Sequence, residues 1–118
     1  AEADPAKKLA IYAHAVCRIQ ERMAPLVLAL RDASSTEPEA EQVWQEINER
    51  RAANMRAFVL DLRHVGGLRA DLSVGEAADV VWTLNSSEVF LLLTGDRGWS
   101  PGRFERWLAD TWCRLLLG

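Results

Sequence analysis

The stretch that decides the fold is Gly98-Trp99-Ser100-Pro101, which opens the last predicted helix. Ser100 is a favourable N-cap, and Pro101 suits the first helical position, where no backbone N–H is needed. One helical face then collects mostly large apolar side chains at three- and four-residue steps: Phe104, Trp107, Leu108, Thr111, Trp112 and Leu115. Such a face must be covered, so the sequence predicts a core, a partner chain, or both, against this helix.

Length and composition indicate one globular domain over residues 1–118. Hydrophobic residues make up 49% of the chain and charged residues 26%, which is typical of a folded protein rather than a disordered or fibrous one. Apolar runs such as residues 89–93 are far shorter than the roughly 20 residues that span a bilayer, so no membrane association is expected. A net charge of −3 with mixed signs provides no basic stripe for nucleic acid.

The first residues and the cysteines indicate the cellular compartment. Residues 1–5 lack the basic and apolar regions of a signal peptide. Cys17 and Cys113 are too few for a disulfide framework, and a reduced state is the default for such a chain. We therefore expect a cytoplasmic protein.

Helical signals recur along the chain, whereas long period-two alternation and Asn-Gly or Asp-Gly hairpin signals are missing from the sequence. Pro25 is expected to kink or restart the first helix, and Gly66-Gly67 to end the long second one. Thr36-x-x-Glu39 and Ser73-x-x-Glu76 match the capping box. The predicted inner face of the first helix is Leu9, Tyr12, Val16, Ile19 and Met23. The sequence therefore predicts an all-α bundle of five to six helices.

Arg51 interrupts the apolar stripe of the long helix. If the guanidinium is buried there, it must have a partner. One interpretation is that Arg51 faces a cavity and meets an anionic or polar ligand group, with Asn48 and Asn54 beside it. The other is structural, with Arg51 bound to an acidic side chain or to the carbonyls at a helix end. The stripe comprises Ala40, Trp44, Ile47, Met55, Phe58, Leu62 and Val65.

Asn85 is a second polar residue on an apolar helical face. Three roles fit it: lining a pocket, hydrogen-bonding across a subunit seam, or capping the helix end near Ser86. Four nearby large side chains suit an aromatic pocket for a small apolar ligand, and they equally suit a filled core: Trp44, Met55, Trp82 and Phe90.

The sequence favours neither catalysis nor a resident cofactor or metal. His14 with Cys17, and Asp61 with His64, have i,i+3 spacing but lack the further ligands that a metal site needs. Gly-rich phosphate loops, nucleophile elbows and zinc-protease motifs are missing from the sequence. An enzyme would require His14 or His64 in a cleft beside an acid. We expect a protein that is not an enzyme.

Three segments make the chain similar to the C-terminal regulatory domain of tetracycline-repressor (TetR) family transcription factors of the actinobacterial type. The first is residues 49–55 (Glu-Arg-Arg-Ala-Ala-Asn-Met). The second is residues 67–73 (Gly-Leu-Arg-Ala-Asp-Leu-Ser), leading into residues 76–82. The third is residues 87–90, with Gly98-Trp99-Ser100-Pro101 and residues 107–111. The resemblance covers nearly the whole chain, but the family's N-terminal helix-turn-helix is missing from this sequence.

The resemblance implies a homodimer that senses a small, mostly apolar effector and contacts DNA only through the missing N-terminal domain. In the family, the last long helices of two subunits form a four-helix bundle, which corresponds here to residues 73–84 and 101–117. On that basis, the predicted seam residues are Phe104, Trp107, Trp112 and Leu116. The predicted effector-binding residues are Tyr12, Val16, Trp44, Arg51, Met55, Trp82 and Asn85. The alternative is a helical interaction module with a filled core and no effector.

Overall fold

A computed structural model describes residues 3–118, and this part of the chain is all-helical, as the sequence predicts. The helices are α1 (Pro5–Ser34), α2 (Pro38–His64), α3 (Val74–Leu84), α4 (Ser87–Leu91) and α5 (Pro101–Leu116). A π-helical turn, Leu92–Asp96, continues α4. Within residues 3–118, β pairing is limited to one isolated bridge between Leu68 and Leu117.

The long helix α1 is the centre of the packing, since it contacts α2, α4 and α5. α3 lies between α2 and α5. The molecule measures 44 × 30 × 24 Å. This arrangement leaves the end of α3 and the start of α4 beside the first half of α2, where the groove described below lies.

α1 continues without a break through Pro25, so the expected restart at that position is wrong. Pro25 is exposed, and water can therefore bind the carbonyl that the proline leaves unpaired. The inner face also differs from the prediction, because Ile19 and Met23 are 50% and 43% exposed. The buried positions of α1 are mostly smaller residues that allow neighbouring helices to approach closely: Leu9, Ala13, Val16, Cys17, Gln20 and Ala24.

Two of the predicted helix starts are confirmed. The Ser73 hydroxyl accepts the Glu76 N–H at 3.0 Å, and the Glu76 carboxylate accepts the Ser73 N–H at 3.1 Å, which completes the capping box of α3. Ser100 accepts the Arg103 N–H at 3.1 Å, with Pro101 as the first residue of α5. Both caps satisfy backbone donors that a helix N-terminus leaves unpaired.

The capping box predicted at Thr36 is wrong. α2 begins at Pro38, and its N-cap Glu37 makes no side-chain cap hydrogen bond. The Thr36 hydroxyl instead donates to the carbonyl of Ala33 at 3.4 Å. The short connection between α1 and α2 therefore uses this side chain to finish α1 rather than to start α2.

α5 turns its apolar face into the core of its own subunit. Phe104, Leu108, Trp112 and Leu116 are each 0% exposed. The assignment of Phe104, Trp112 and Leu116 to a seam with a second copy is therefore wrong, since α1 packs against this helix and the chain itself covers these side chains. Trp107 is half-buried and contacts the rings of Trp99 and Phe104.

The loop after α2 joins the two ends of the described chain. Gly66 has a φ of +80°, a conformation that glycine adopts without strain. A Cβ on Gly67 would lie 2.5 Å from Pro5, at the start of α1. The Gly118 N–H donates to the Gly67 carbonyl at 3.4 Å, and the Arg69 N–H donates to the Leu116 carbonyl at 2.8 Å. These contacts hold the end of α5 beside the start of α1.

Candidate functional site

A groove opens between α2, α3 and α4, at the point where α3 ends, and its volume is ≈ 270 Å³. Trp44 and Trp82 contribute its aromatic surface, and Arg51 is its cationic group. We call this site the Arg51 groove. Its lining residues are Trp44, Asn48, Arg51, Trp82, Thr83, Ser86, Glu88 and Val89.

Arg51 ties α2 to the end of α3. One terminal nitrogen, Nη2, donates to the carbonyls of Trp82, at 3.2 Å, and of Asn85. The other, Nη1, donates to Asn48 Oδ1 at 3.3 Å. The last carbonyls of a helix have no partner within the helix and carry its negative dipole end, so a guanidinium suits them. The predicted bonding of Arg51 to helix-end carbonyls is therefore confirmed.

The charge of Arg51 has no carboxylate against it. Within residues 3–118, Arg51 forms no ion pair with an Asp or Glu. Glu88, the acidic residue of the groove, instead pairs with Arg31 at 3.0 Å. Burial lowers the pKa of Arg51 from its ordinary value, and the charges of Glu88 and Tyr12 oppose this effect. The guanidinium also lies over the ring of Trp82, 5.0 Å from its centroid.

Asn85 ends α3 and joins a buried polar network behind the groove. Its side-chain oxygen accepts from Gln20 Nε2 at 3.3 Å, and Ser87 donates to the Gln20 oxygen at 2.9 Å. Its backbone N–H donates to the Val81 carbonyl at 2.9 Å. Of the three roles considered for Asn85, the one at the helix end is therefore confirmed.

Tyr12 reaches the same network from α1. Burial raises the pKa of Tyr12, while a hydrogen bond with the Asn85 side chain and the charge of Arg51 lower it. Its ring stacks on Phe58 with the centroids 4.2 Å apart. Tyr12 thus contacts the polar network that backs the Arg51 groove without lining the groove itself.

The predicted binding residues therefore separate into groups. Trp44, Arg51 and Trp82 line the groove together. Val16 and Met55 are only 4% and 2% exposed, and they lie in the core outside the lining of the groove.

A second, shallower depression of ≈ 240 Å³ lies between α1 and α2. Its one charged group, Lys8, already donates to Asp61 at 2.6 Å. Ile11 in this depression is 61% exposed, so the depression is poorly enclosed. Its polar chemistry is thus already engaged, and the Arg51 groove is the stronger candidate. Its lining residues are Lys8, Ile11, Tyr12, Ala15 and Phe58.

The sequence pattern does not predict the part of the groove formed after α3, where Thr83, Ser86, Glu88 and Val89 lie. Ser86 marks the start of α4 as its N-cap, since its hydroxyl accepts the Val89 N–H. It does not reveal the angle at which α4 leaves α3, and that angle places Glu88 and Val89 opposite α2.

The histidines lie outside the groove. His14 is exposed and its Nδ1 lies 3.0 Å from Glu105 Oε1, and His64 is also exposed. The described part of the chain contains no group of three or more His, Cys, Asp or Glu residues that could hold a metal ion. None of the helices in residues 3–118 is both long enough and apolar enough to cross a membrane.

No protein-family model matches this chain, and neither does any curated protein or solved structure.

Proposed function

We propose that this chain is the effector-sensing and dimerising domain of a TetR-type transcriptional repressor, with the Arg51 groove as the effector site. The similarity to that family supports the proposal, as does the all-helical architecture. The similarity rests on residues 49–55, 67–73, 76–82, 87–90, 98–101 and 107–111. The observation that carries the proposal is the position of the groove. Trp44, Arg51 and Trp82 meet where α3 ends, so an occupant would contact two helices and the joint after them.

The bonding of Arg51 gives the groove a way to affect the fold. A ligand that contacts Arg51 and Trp82 competes with, or reinforces, the bonds between Arg51 and the end of α3. It thereby favours one packing of α3 and α4 over another, by no more than its difference in affinity for the two packings. In the intact repressor, acting in the cytoplasm, this shift would move the two DNA-binding domains relative to half-sites about one helical turn apart.

The proposed dimer needs an apolar surface that the subunit leaves uncovered. Leu115 is 42% exposed, and Trp107 and Thr111 precede it by eight and four residues on the same flank of α5. We propose this flank as the contact with a second copy related by a two-fold axis. Sedimentation equilibrium tests it: Leu115→Glu should reduce self-association, whereas Leu26→Glu, at an apolar position of α1 that is 64% exposed, should not. Equal behaviour of the two variants would contradict the proposed contact.

Indole signals test the effector site directly. The chain has five tryptophans, so a ¹⁵N correlation spectrum should show five indole N–H signals, which single Trp→Phe replacements assign. When small aromatic compounds are added, the signals of Trp44 and Trp82 should shift in a saturable way. The signal of Trp112 should stay unchanged when the groove is only partly occupied by ligand, because this side chain is 0% exposed.

A second candidate function is an interaction module without an effector, which the tightly closed core favours. Within residues 3–118, sixteen hydrophobic residues form one buried cluster, and many of them are 0% exposed. The same spectra separate the two functions, because a module should show no saturable shift of Trp44 and Trp82 with any compound in the panel.

A further inference from the structure

We infer that the Arg51 groove selects a small aromatic carboxylate, with the carboxylate on Arg51 and the aromatic body against Trp44 and Trp82. The inference rests on the proposed effector site and deepens it, since it names the chemical class of the ligand.

The charge of Arg51 favours an anionic ligand. Arg51 is partly buried, and its partners in residues 3–118 are neutral oxygens of Asn48, Trp82 and Asn85. A partly buried cation that no carboxylate contacts attracts an anion more strongly than one in bulk water. Glu88 offsets the charge of Arg51 without forming an ion pair with it, because its carboxylate is bonded to Arg31 at 3.0 Å. The pair with Arg31 also reduces the repulsion that Glu88 would exert on an anionic ligand.

Arg51 also has hydrogen-bond donors left over for a ligand. A guanidinium has five N–H groups, and those of Arg51 make three hydrogen bonds within the described chain. The Nε–H and one Nη1–H have no partner in residues 3–118. A carboxylate accepts from such donors, and these charge-assisted bonds are roughly twice as strong as bonds between neutral groups.

The shape and size of the groove favour a small aromatic ligand. Trp44, Trp82 and Val89 provide apolar surface next to the guanidinium, and flat aromatic rings pack well on indoles. The volume of ≈ 270 Å³ lies just below the range of roughly 300–1,000 Å³ that is typical of small-molecule pockets, which suits a body of only one or two rings. A single carboxylate on such a body satisfies the one cationic group of the lining.

Isothermal titration with a matched pair of probes, 2-naphthoate and 2-naphthamide at pH 7, tests the inference on the unaltered chain. The two probes share the ring system and differ in charge. We expect 2-naphthoate to bind at least about tenfold more tightly, as a hydrogen bond to a charged group predicts. Arg51→Gln should abolish this preference. Arg50→Gln, the matched control at the exposed neighbouring position of the same helix, should retain it.

The outcomes are distinct. Equal affinities for the two probes, or a preference that survives Arg51→Gln, overturn the carboxylate inference and leave an effector groove of other specificity. Failure of both probes while other compounds shift the Trp44 and Trp82 indole signals overturns it as well. Failure of every compound in the indole experiment overturns the proposed function together with the inference. Because Arg51→Gln also frees the end of α3, the comparison of the two probes on the unaltered chain decides the matter if that variant does not fold.

Discussion

The buried face of α5 yields the sharpest prediction, through two leucines on the same helix. Leu108 is 0% exposed and Leu115 is 42% exposed. Leu108→Ala removes a fully buried side chain and leaves a cavity, which costs about 3–5 kcal/mol of unfolding free energy. Leu115→Ala removes a side chain that is only partly covered, at a cost of about 1 kcal/mol.

Urea unfolding followed by far-UV circular dichroism measures both costs, and an unchanged m-value would show that they reflect stability rather than altered compactness. A domain of this size is stable by roughly 5–15 kcal/mol, so the Leu108 variant should remain folded and measurable. If a second copy rather than α1 covered this face, Leu108→Ala would weaken self-association instead of lowering the unfolding free energy of the single subunit. A cost at Leu108 no larger than that at Leu115 would refute the placement of α5.

Further variants, each with a control or reference state, test local features of the fold at Gly67, Ser73 and Cys17. In a thermal-melting assay, Gly67→Ala should destabilise the chain by about 1 kcal/mol or more through overpacking, because the new Cβ would lie 2.5 Å from Pro5. Gly95→Ala should be tolerated in the same assay, because no atom lies within 4 Å of a Cβ at that position. Ser73→Ala should cost about 1 kcal/mol in urea unfolding through loss of the α3 cap, whereas Ser73→Thr retains the hydroxyl and most of that stability. Burial, followed by the charges of neighbouring glutamates, raises the pKa of the Cys17 thiol to about 11. The folded chain therefore keeps this proton to higher pH than the unfolded chain, and its stability relative to Cys17→Ala should be constant below pH 9 and fall between about pH 9 and 11. A flat difference across that range would show that the thiol is not held protonated by the fold.

Local signals in the sequence account for two of the helix starts and for the apolar face of α5. The caps at Ser73 and Ser100 require only two or three neighbouring residues, so they can be recognised without tertiary information. The periodicity of α5 likewise identifies an apolar face. Periodicity does not identify what covers that face. The subunit itself covers three of the four residues that the family resemblance assigned to a partner.

The candidate site was partly predictable for the same reason. Arg51 stands out because it interrupts an apolar stripe, and Trp44 shares that stripe. The carbonyls that Arg51 binds belong to the end of α3, and that contact depends on how two helices distant in sequence pack. The residues of α4 in the groove depend on a further angle between helices, which no local pattern encodes.

The closure near Gly67 has a geometric consequence for anything joined to this domain. Pro5 and Gly118 both lie at Gly67, so attachments at either end of the described chain would emerge at one pole of the molecule. Arg51 lies roughly 20 Å from that pole along α2, at about 1.5 Å per residue. α1, with 30 residues, spans about 45 Å and carries Gln20, which bonds to Asn85, and Arg31, which bonds to Glu88. A domain fused ahead of Pro5 would therefore respond to binding in the Arg51 groove through a tilt or rotation of α1, without contacting the bound molecule.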